Sequence, residues 1–139
     1  MKISENKNLS YSDLVKQKHC PKALWFRHFR PELRKKRDET RRFIIEEERF
    51  VKTLVASRFP KATVLGKQTN SLSEHLQETQ DAIEAPTFFI FNAIFRVENR
   101  LIHCDGLQRT EEGCVLYGIK SSNRVKHGQI EELAYIVEG

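Results

Sequence analysis

Two residues in the second half of the sequence are of the right type for phosphate chemistry. Asp105 lies near the end of the apolar run Leu101-Ile-His-Cys-Asp-Gly-Leu107, and Lys120 near the end of Val115-Leu-Tyr-Gly-Ile-Lys-Ser121. Side chains alternate along a strand. Leu101, His103, Asp105 and Leu107 are therefore expected on one face, as are Cys114, Leu116, Gly118 and Lys120 on the next strand. If both faces point the same way, Asp105 and Lys120 converge. A carboxylate there can bind Mg²⁺ or Mn²⁺, which take oxygen ligands from carboxylate, phosphate and water. The ion stabilises charge on a phosphodiester and helps to generate hydroxide. A lysine orients the water or stabilises the transition state. One carboxylate and one lysine form an incomplete set with weak metal affinity. Asp-Gly is also a common turn pair, and a strand-end lysine is an ordinary solvated residue.

The elements that must position this pair follow from periodicity and punctuation. Residues 1–8 read as a polar tail. Ser10-Tyr-Ser-Asp13 resembles a capping box and predicts a short helix to about Lys18. Pro21 suits the first turn of a second short helix, to Phe29. Its Leu24, Trp25, Phe26 and Phe29 need an apolar partner, expected in the main domain. Phe43, Ile44, Phe50, Val51, Leu54 and Val55 recur at helical spacing and predict the longest helix, over about residues 40–58. Phe59-Pro60 ends it. Residues 62–66 read as a short strand, and Ser71-Leu-Ser-Glu74 opens a helix to about Glu84. Three strands follow at 87–97, 100–109 and 114–120, joined by Glu98-Asn99 and Glu111-Glu112-Gly113. Tight turns between apolar runs indicate an antiparallel meander. Residues 129–137 read as a final helix. The order predicts an α/β or α+β fold, with a mixed central sheet of about four strands flanked by helices. One compact domain of 139 residues is expected, with an N-terminal helical and basic segment (1–39) and a core (40–139).

An apolar content of 39% supports a folded chain. No segment approaches the length of a membrane span, and the N-terminus lacks a signal-peptide core. A soluble, cytoplasmic protein without a membrane partner is expected. Cys20, Cys104 and Cys114 are odd in number, widely spaced and free of C-x-x-C, which argues against a disulfide framework or a zinc site. Cys104 and Cys114 are expected to be buried thiols. The five histidines show no ligand spacing, although His103 shares the strand face of Asp105. No P-loop, nucleophile elbow or dinucleotide glycine pattern occurs. The formal charge is +5, and residues 27–42 hold all of the excess, with eight basic and three acidic residues. Such a cluster attracts phosphate by releasing counterions. Arg34, Lys35, Lys36, Arg37, Arg41 and Arg42 are the candidate nucleic-acid contacts, with a solvated connector as the plain alternative.

Leu9-Ser-Tyr-Ser-Asp-Leu14 followed by Cys20-Pro-Lys-Ala-Leu-Trp25 resembles the N-terminal signature of RecB-like nucleases of the PD-(D/E)XK superfamily. The CRISPR-associated RecB-like exonucleases belong to that group. Val51-Lys-Thr-Leu-Val-Ala56 with Phe59-Pro60 resembles the end of their first core helix. Phe91-Asn-Ala-Ile-Phe95 resembles the strand before the metal strand, and residues 129–137 the helix after the Glu-x-Lys strand. The likeness runs in family order over residues 9–138. It implies a restriction-endonuclease-like core, hydrolysis supported by Mg or Mn, and nucleic acid as partner, with DNA the expected form. The family's Asp matches Asp105 and its Lys matches Lys120. The departures are specific. The Glu of Glu-x-Lys falls on Gly118, the acid of the preceding strand on Asn92, the glutamine of the following helix near Ile136, and a helix glycine near Glu48. The iron–sulfur members combine one N-terminal cysteine, matched by Cys20, with three C-terminal cysteines absent here. No cluster is expected, and Cys20 is expected as a packed thiol at a helix start.

A substitute acid could come from Glu46, Glu47 or Glu48, or from Glu131 or Glu132. Glu48 is the candidate second metal ligand beside Asp105. Three readings follow. The first is a nuclease-fold nucleic-acid-binding protein with catalysis impaired or lost. The second is an active Mg- or Mn-dependent DNA nuclease with a relocated acid. The third is a non-catalytic protein-interaction module derived from the family.

Overall fold

The computed structural model describes residues 8–35, 38–68 and 71–139. Strand β1 (Leu9–Ser10) runs directly into helix α1 (Tyr11–His19). Ser10 makes the junction, because both its N–H and its hydroxyl donate to the Asp13 carboxylate at 2.9 Å. Helix α2 (Pro21–Phe29) starts on proline, where the missing N–H costs nothing. A 3₁₀ turn, Pro31–Leu33, follows. Helix α3 (Glu39–Ser57) is capped by Asp38, which accepts the Arg41 N–H at 2.8 Å. After strand β2 (Thr63–Val64), helix α4 (Leu72–Glu84) is capped by Ser71, which accepts the Glu74 N–H at 3.2 Å. Strands β3 (Phe89–Val97), β4 (Arg100–Thr110) and β5 (Gly113–Tyr117) form the meander, and helix α5 (His127–Glu138) closes the chain.

The result is a mixed α/β fold with a five-stranded sheet flanked by helices, in the order β1-β4-β3-β2 with β5 also on β4. β1 and β2 pair in parallel with β4 and β3, while β3, β4 and β5 are antiparallel. β3 takes one edge of β4. The other edge is divided: β1 pairs with Arg100 and Leu101, and β5 pairs with residues 106–110. A gap opens beside residues 102–105, and Asp105 lies in it. β1 adds a fifth strand to the four that the sequence predicts, and its two residues carry no periodic signal.

Leu65, Ala82, Ile90, Ala93 and Cys104 form the buried core between α4 and the sheet, with Leu107 and Leu116 packed against it. Ile90 and Ala93 both reach this cluster although they are three residues apart, as do Cys104 and Leu107. Strict alternation therefore breaks at Asn92, which has φ 61°, and across Asp105-Gly106. Leu107 does not share a face with Asp105 in the simple way expected. Cys104 is buried as expected, but Cys114 and Cys20 are exposed. Cys114 stands near the start of β5, opposite Arg109, and Cys20 is the N-cap of α2. α2 packs chiefly against α1 and the 3₁₀ turn. α3 buries no residue, and Phe43 and Phe50 are each 67% exposed. Among the described residues, no helix is long and apolar enough to cross a membrane.

Among the described residues, Asp13 is the one strongly buried charge that ties α1 to α2. Its side chain is 5% exposed, with Arg27 Nη1 and His28 Nε2 at 3.1 and 3.2 Å from Oδ1. These are ion contacts without hydrogen-bond alignment. Burial pushes its pKa up, but the two Ser10 bonds, Arg27 and His28 outweigh burial and hold it below the ordinary value. A depressed carboxylate pKa stabilises the fold above the unfolded value of 3.8, and this contribution is lost as pH falls through the folded value. Asp13→Ala should cost about 3 kcal/mol at neutral pH, since it breaks a buried ion group and a cap. Urea melts should show the deficit narrowing below pH 3.8. An equal deficit at every pH would contradict a role for the carboxylate charge.

Candidate functional site

Strand register puts three positions in one row. Phe91 pairs with Gly106 and Ala93 with Cys104, so Asn92 stands opposite Asp105. Gly106 pairs with Tyr117, so Gly118, one step past β5, stands opposite Asp105 on the other side. Only the middle position of the row carries an acid.

The third strand was expected to reach Lys120, but it ends at Tyr117. The Ile119 N–H turns away from the ladder and donates to Asp105 Oδ2 at 2.9 Å. Lys120 thus does not reach Asp105 by strand alternation. The captured backbone brings it there, with Nζ 3.9 Å from Oδ2. The convergence expected from the sequence is present, by a different route.

The remaining partners come from two helices. Lys52 of α3 places Nζ 2.7 Å from Asp105 Oδ1. Glu132 of α5 holds Lys120 Nζ at 2.8 Å, and Glu48 of α3 lies at 3.6 Å. Asp105 is 18% exposed and Lys120 22%. Burial acts to lower the Lys120 pKa, but the Glu132 bond and the charges of Glu132, Asp105 and Glu48 outweigh it and hold the pKa above 10.5. The pKa of His103 is depressed, by desolvation first and then by His75 and Lys52. A cleft of about 340 Å³ opens beside Asp105, Gly118, Lys120, Glu132 and Leu133.

Asn92 is engaged elsewhere. Its Nδ2 donates to the Leu65 carbonyl at 2.9 Å, and its own carbonyl lies 2.7 Å from His75 Nε2. The left-handed backbone at Asn92 is one that asparagine tolerates. The approach requires glycine at Gly66, where φ is 74° and a Cβ would fall 2.8 Å from Asn92 Nδ2.

The other sequence candidates divide. Arg34, Lys35 and Arg41 line one recess beside α2. Arg42 is exposed on α3 outside that lining. Lys36 and Arg37 lie outside the described residues. Glu131 pairs with Lys18 at 3.4 Å and with His127 at 3.6 Å, away from Lys120. Glu48 is joined by Glu132, which is closer. Glu132 was open to a periodic reading, since residues 129, 132, 133 and 136 line the cleft at helical spacing. Lys52 was missed, although it follows Glu48 by four residues on one helix and so shares its face.

As built, the centre does not fit a divalent ion. Lys52 and the Ile119 N–H hold the two Asp105 oxygens, and Glu48 and Glu132 turn onto Lys120. Among the described residues, no three His, Cys, Asp or Glu side chains gather as a metal site. No family model, curated protein or solved structure matches the chain.

A raised lysine pKa contributes stability that is complete below 10.5 and is lost as pH rises through the raised value. Lys120→Met should cost about 1–3 kcal/mol at neutral pH, because three carboxylates lose their shared cation. A variant as stable as the parent at neutral pH in urea melts would contradict this arrangement.

Proposed function

We propose that the protein is a nucleic-acid-binding member of the PD-(D/E)XK type in which cleavage is lost, with DNA as the expected partner. One observation carries the reading. The single acid in the row, Asp105, already has Lys52 on one oxygen and the Ile119 N–H on the other. Gly118 and Asn92 add no carboxylate, so a metal would have to displace a preformed ion pair and find its other ligands elsewhere. Lys52 supplies positive charge at Asp105 without an ion from solution. A cytoplasmic setting, where thiols stay reduced, suits the three free cysteines.

The second reading, an active enzyme with a relocated acid, has its own support in Glu48 and Glu132, both within 3.6 Å of Lys120. Anisotropy titrations of labelled DNA, run in EDTA and again with Mg²⁺ or Mn²⁺, separate the two. The proposed function predicts salt-sensitive binding that EDTA does not weaken, and no cleavage with either metal. Metal-dependent cutting abolished by Asp105→Ala would overturn it. Loss of cutting in Glu132→Ala or Glu48→Ala would then name the replacement acid. No binding even at low salt would leave the interaction-module reading.

The double variant Lys52→Ala, Gly118→Glu should gain Mn²⁺ affinity in calorimetry. A Cβ at Gly118 is accommodated, since its nearest neighbours are the Leu133 side-chain atoms at 3.4–3.9 Å. A double variant that binds Mn²⁺ no better than the parent counts against the assignment of Gly118 as the vacated acid position.

A further inference from the structure

Helix α3 turns charges inward and rings outward. Glu48 and Lys52, one turn apart, pair with Lys120 and Asp105 on the inner side. Phe43, Phe50 and Leu54 follow at steps of seven and four residues, which sets them in one stripe on the opposite side. Phe43 and Phe50 are each 67% exposed, and Leu54 is 49% exposed. Among the described residues, neither phenylalanine ring meets another ring. Helices in proteins are stabilised chiefly by packing their apolar face, and this one buries no residue. We propose that the outer face of α3 is covered by α3 of a second copy of this chain, in an antiparallel two-fold pair. The inference is independent of the nucleic-acid reading, because it concerns a different surface.

The charges beside the stripe select both the occupant and its direction. Glu46 and Arg49 lie along one flank and Glu47 along the other. Among the described residues, none of these three side chains has an ion partner. In a parallel two-fold pair, each flank faces the opposite flank of the second copy at the same level. Glu46 would then meet Glu47 of the second copy, and the like charges repel. In an antiparallel pair, each flank meets its own copy in reverse order. Centred between Glu47 and Glu48, that arrangement sets Glu46 against Arg49 of the second copy, twice over. The same register lets the Phe43 ring enter the space between Phe50 and Leu54 of the second copy, as a knob enters a hole. One strip of sequence is thus complementary to itself, as an isologous two-fold contact requires. A partner carrying a single sign of charge would satisfy only part of the strip.

Size sets the strength of the contact. Nineteen residues make a helix about 28 Å long. Half of a cylinder of that length and about 11 Å across presents roughly 500 Å². Two copies together bury roughly 1,000 Å², the lower limit of a specific interface. The dimer is therefore reversible and concentration-dependent. It also bears on the centre at Asp105. Lys52 and Glu48 ride on the same helix, so covering its outer face holds both of them against Asp105 and Lys120.

Sedimentation velocity over rising protein concentration tests the proposal. The parent should shift from monomer to dimer. Phe43→Gln with Phe50→Gln keeps helix propensity and should weaken dimerisation by about tenfold or more, with folding checked by circular dichroism. Glu46→Arg and Arg49→Glu should each weaken it by about threefold or more. An equal mixture of those two variants should regain the parent's association, because each chain then meets opposite charge at both contacts. Rescue by mixing separates a contact between copies from a change within one helix. A parent that stays monomeric at every soluble concentration would overturn the proposal. So would dimerisation that the double glutamine variant leaves intact. A mixture that associates no better than either charge variant alone would overturn the antiparallel pairing.

Discussion

The Asp105 carboxylate joins three separate pieces of chain. It projects from β4 into the gap between β1 and β5, accepts the Ile119 N–H as the chain leaves the sheet, and pairs with the Lys52 ammonium of α3. The first contact ends β5 and fixes where Lys120 emerges. The second matters because α3 buries no residue of its own. Its attachments to the sheet and its neighbours include Lys52 on Asp105, Glu48 on Lys120, and Phe59 just beyond its end, which stacks on Phe89 at 4.9 Å. Asp105 is thus a structural joint as well as the candidate reactive acid.

This double duty bears on function. A half-buried carboxylate needs a compensating charge. A bound divalent ion could provide it, and so can an ammonium carried by the chain. Here the ammonium is tethered on a neighbouring helix, so it loses no translational freedom on binding. Lys52 therefore competes from within against any ion in solution. A second carboxylate at Gly118 or Asn92 would shift that balance, but neither position has one. Asp13 shows the same logic in another part of the molecule, with Arg27 supplying charge to a buried acid and becoming fixed in return.

What could be read from the sequence was local. The caps at Ser10 and Ser71 and the proline at Pro21 act within one turn, and α1, α2 and α4 begin where their residue types place them. The meander was legible because its turns are tight and its strands long. The early end of β5 was not, since it depends on a carboxylate fourteen residues away in sequence. β1 was invisible for a similar reason: two residues become a strand only when β4 offers an edge. In the candidate site, Asp105 and Lys120 were found by type and by resemblance. Glu132 was only one of several possible acids, and Lys52 went unread, because ion pairs between helices depend on packing that no spacing rule reports. The basic stretch was visible as charge, but its joining with Lys16 of α1 required the fold.

The central claim is that Lys52 and the Ile119 N–H hold Asp105 in place of a metal. Anomalous diffraction from crystals soaked in MnCl₂ tests it most directly. The account predicts no manganese peak at Asp105, with Lys52 Nζ still within hydrogen-bond distance of Oδ1. Manganese bound by Asp105 together with Glu48 or Glu132, and Lys52 swung aside, would contradict it.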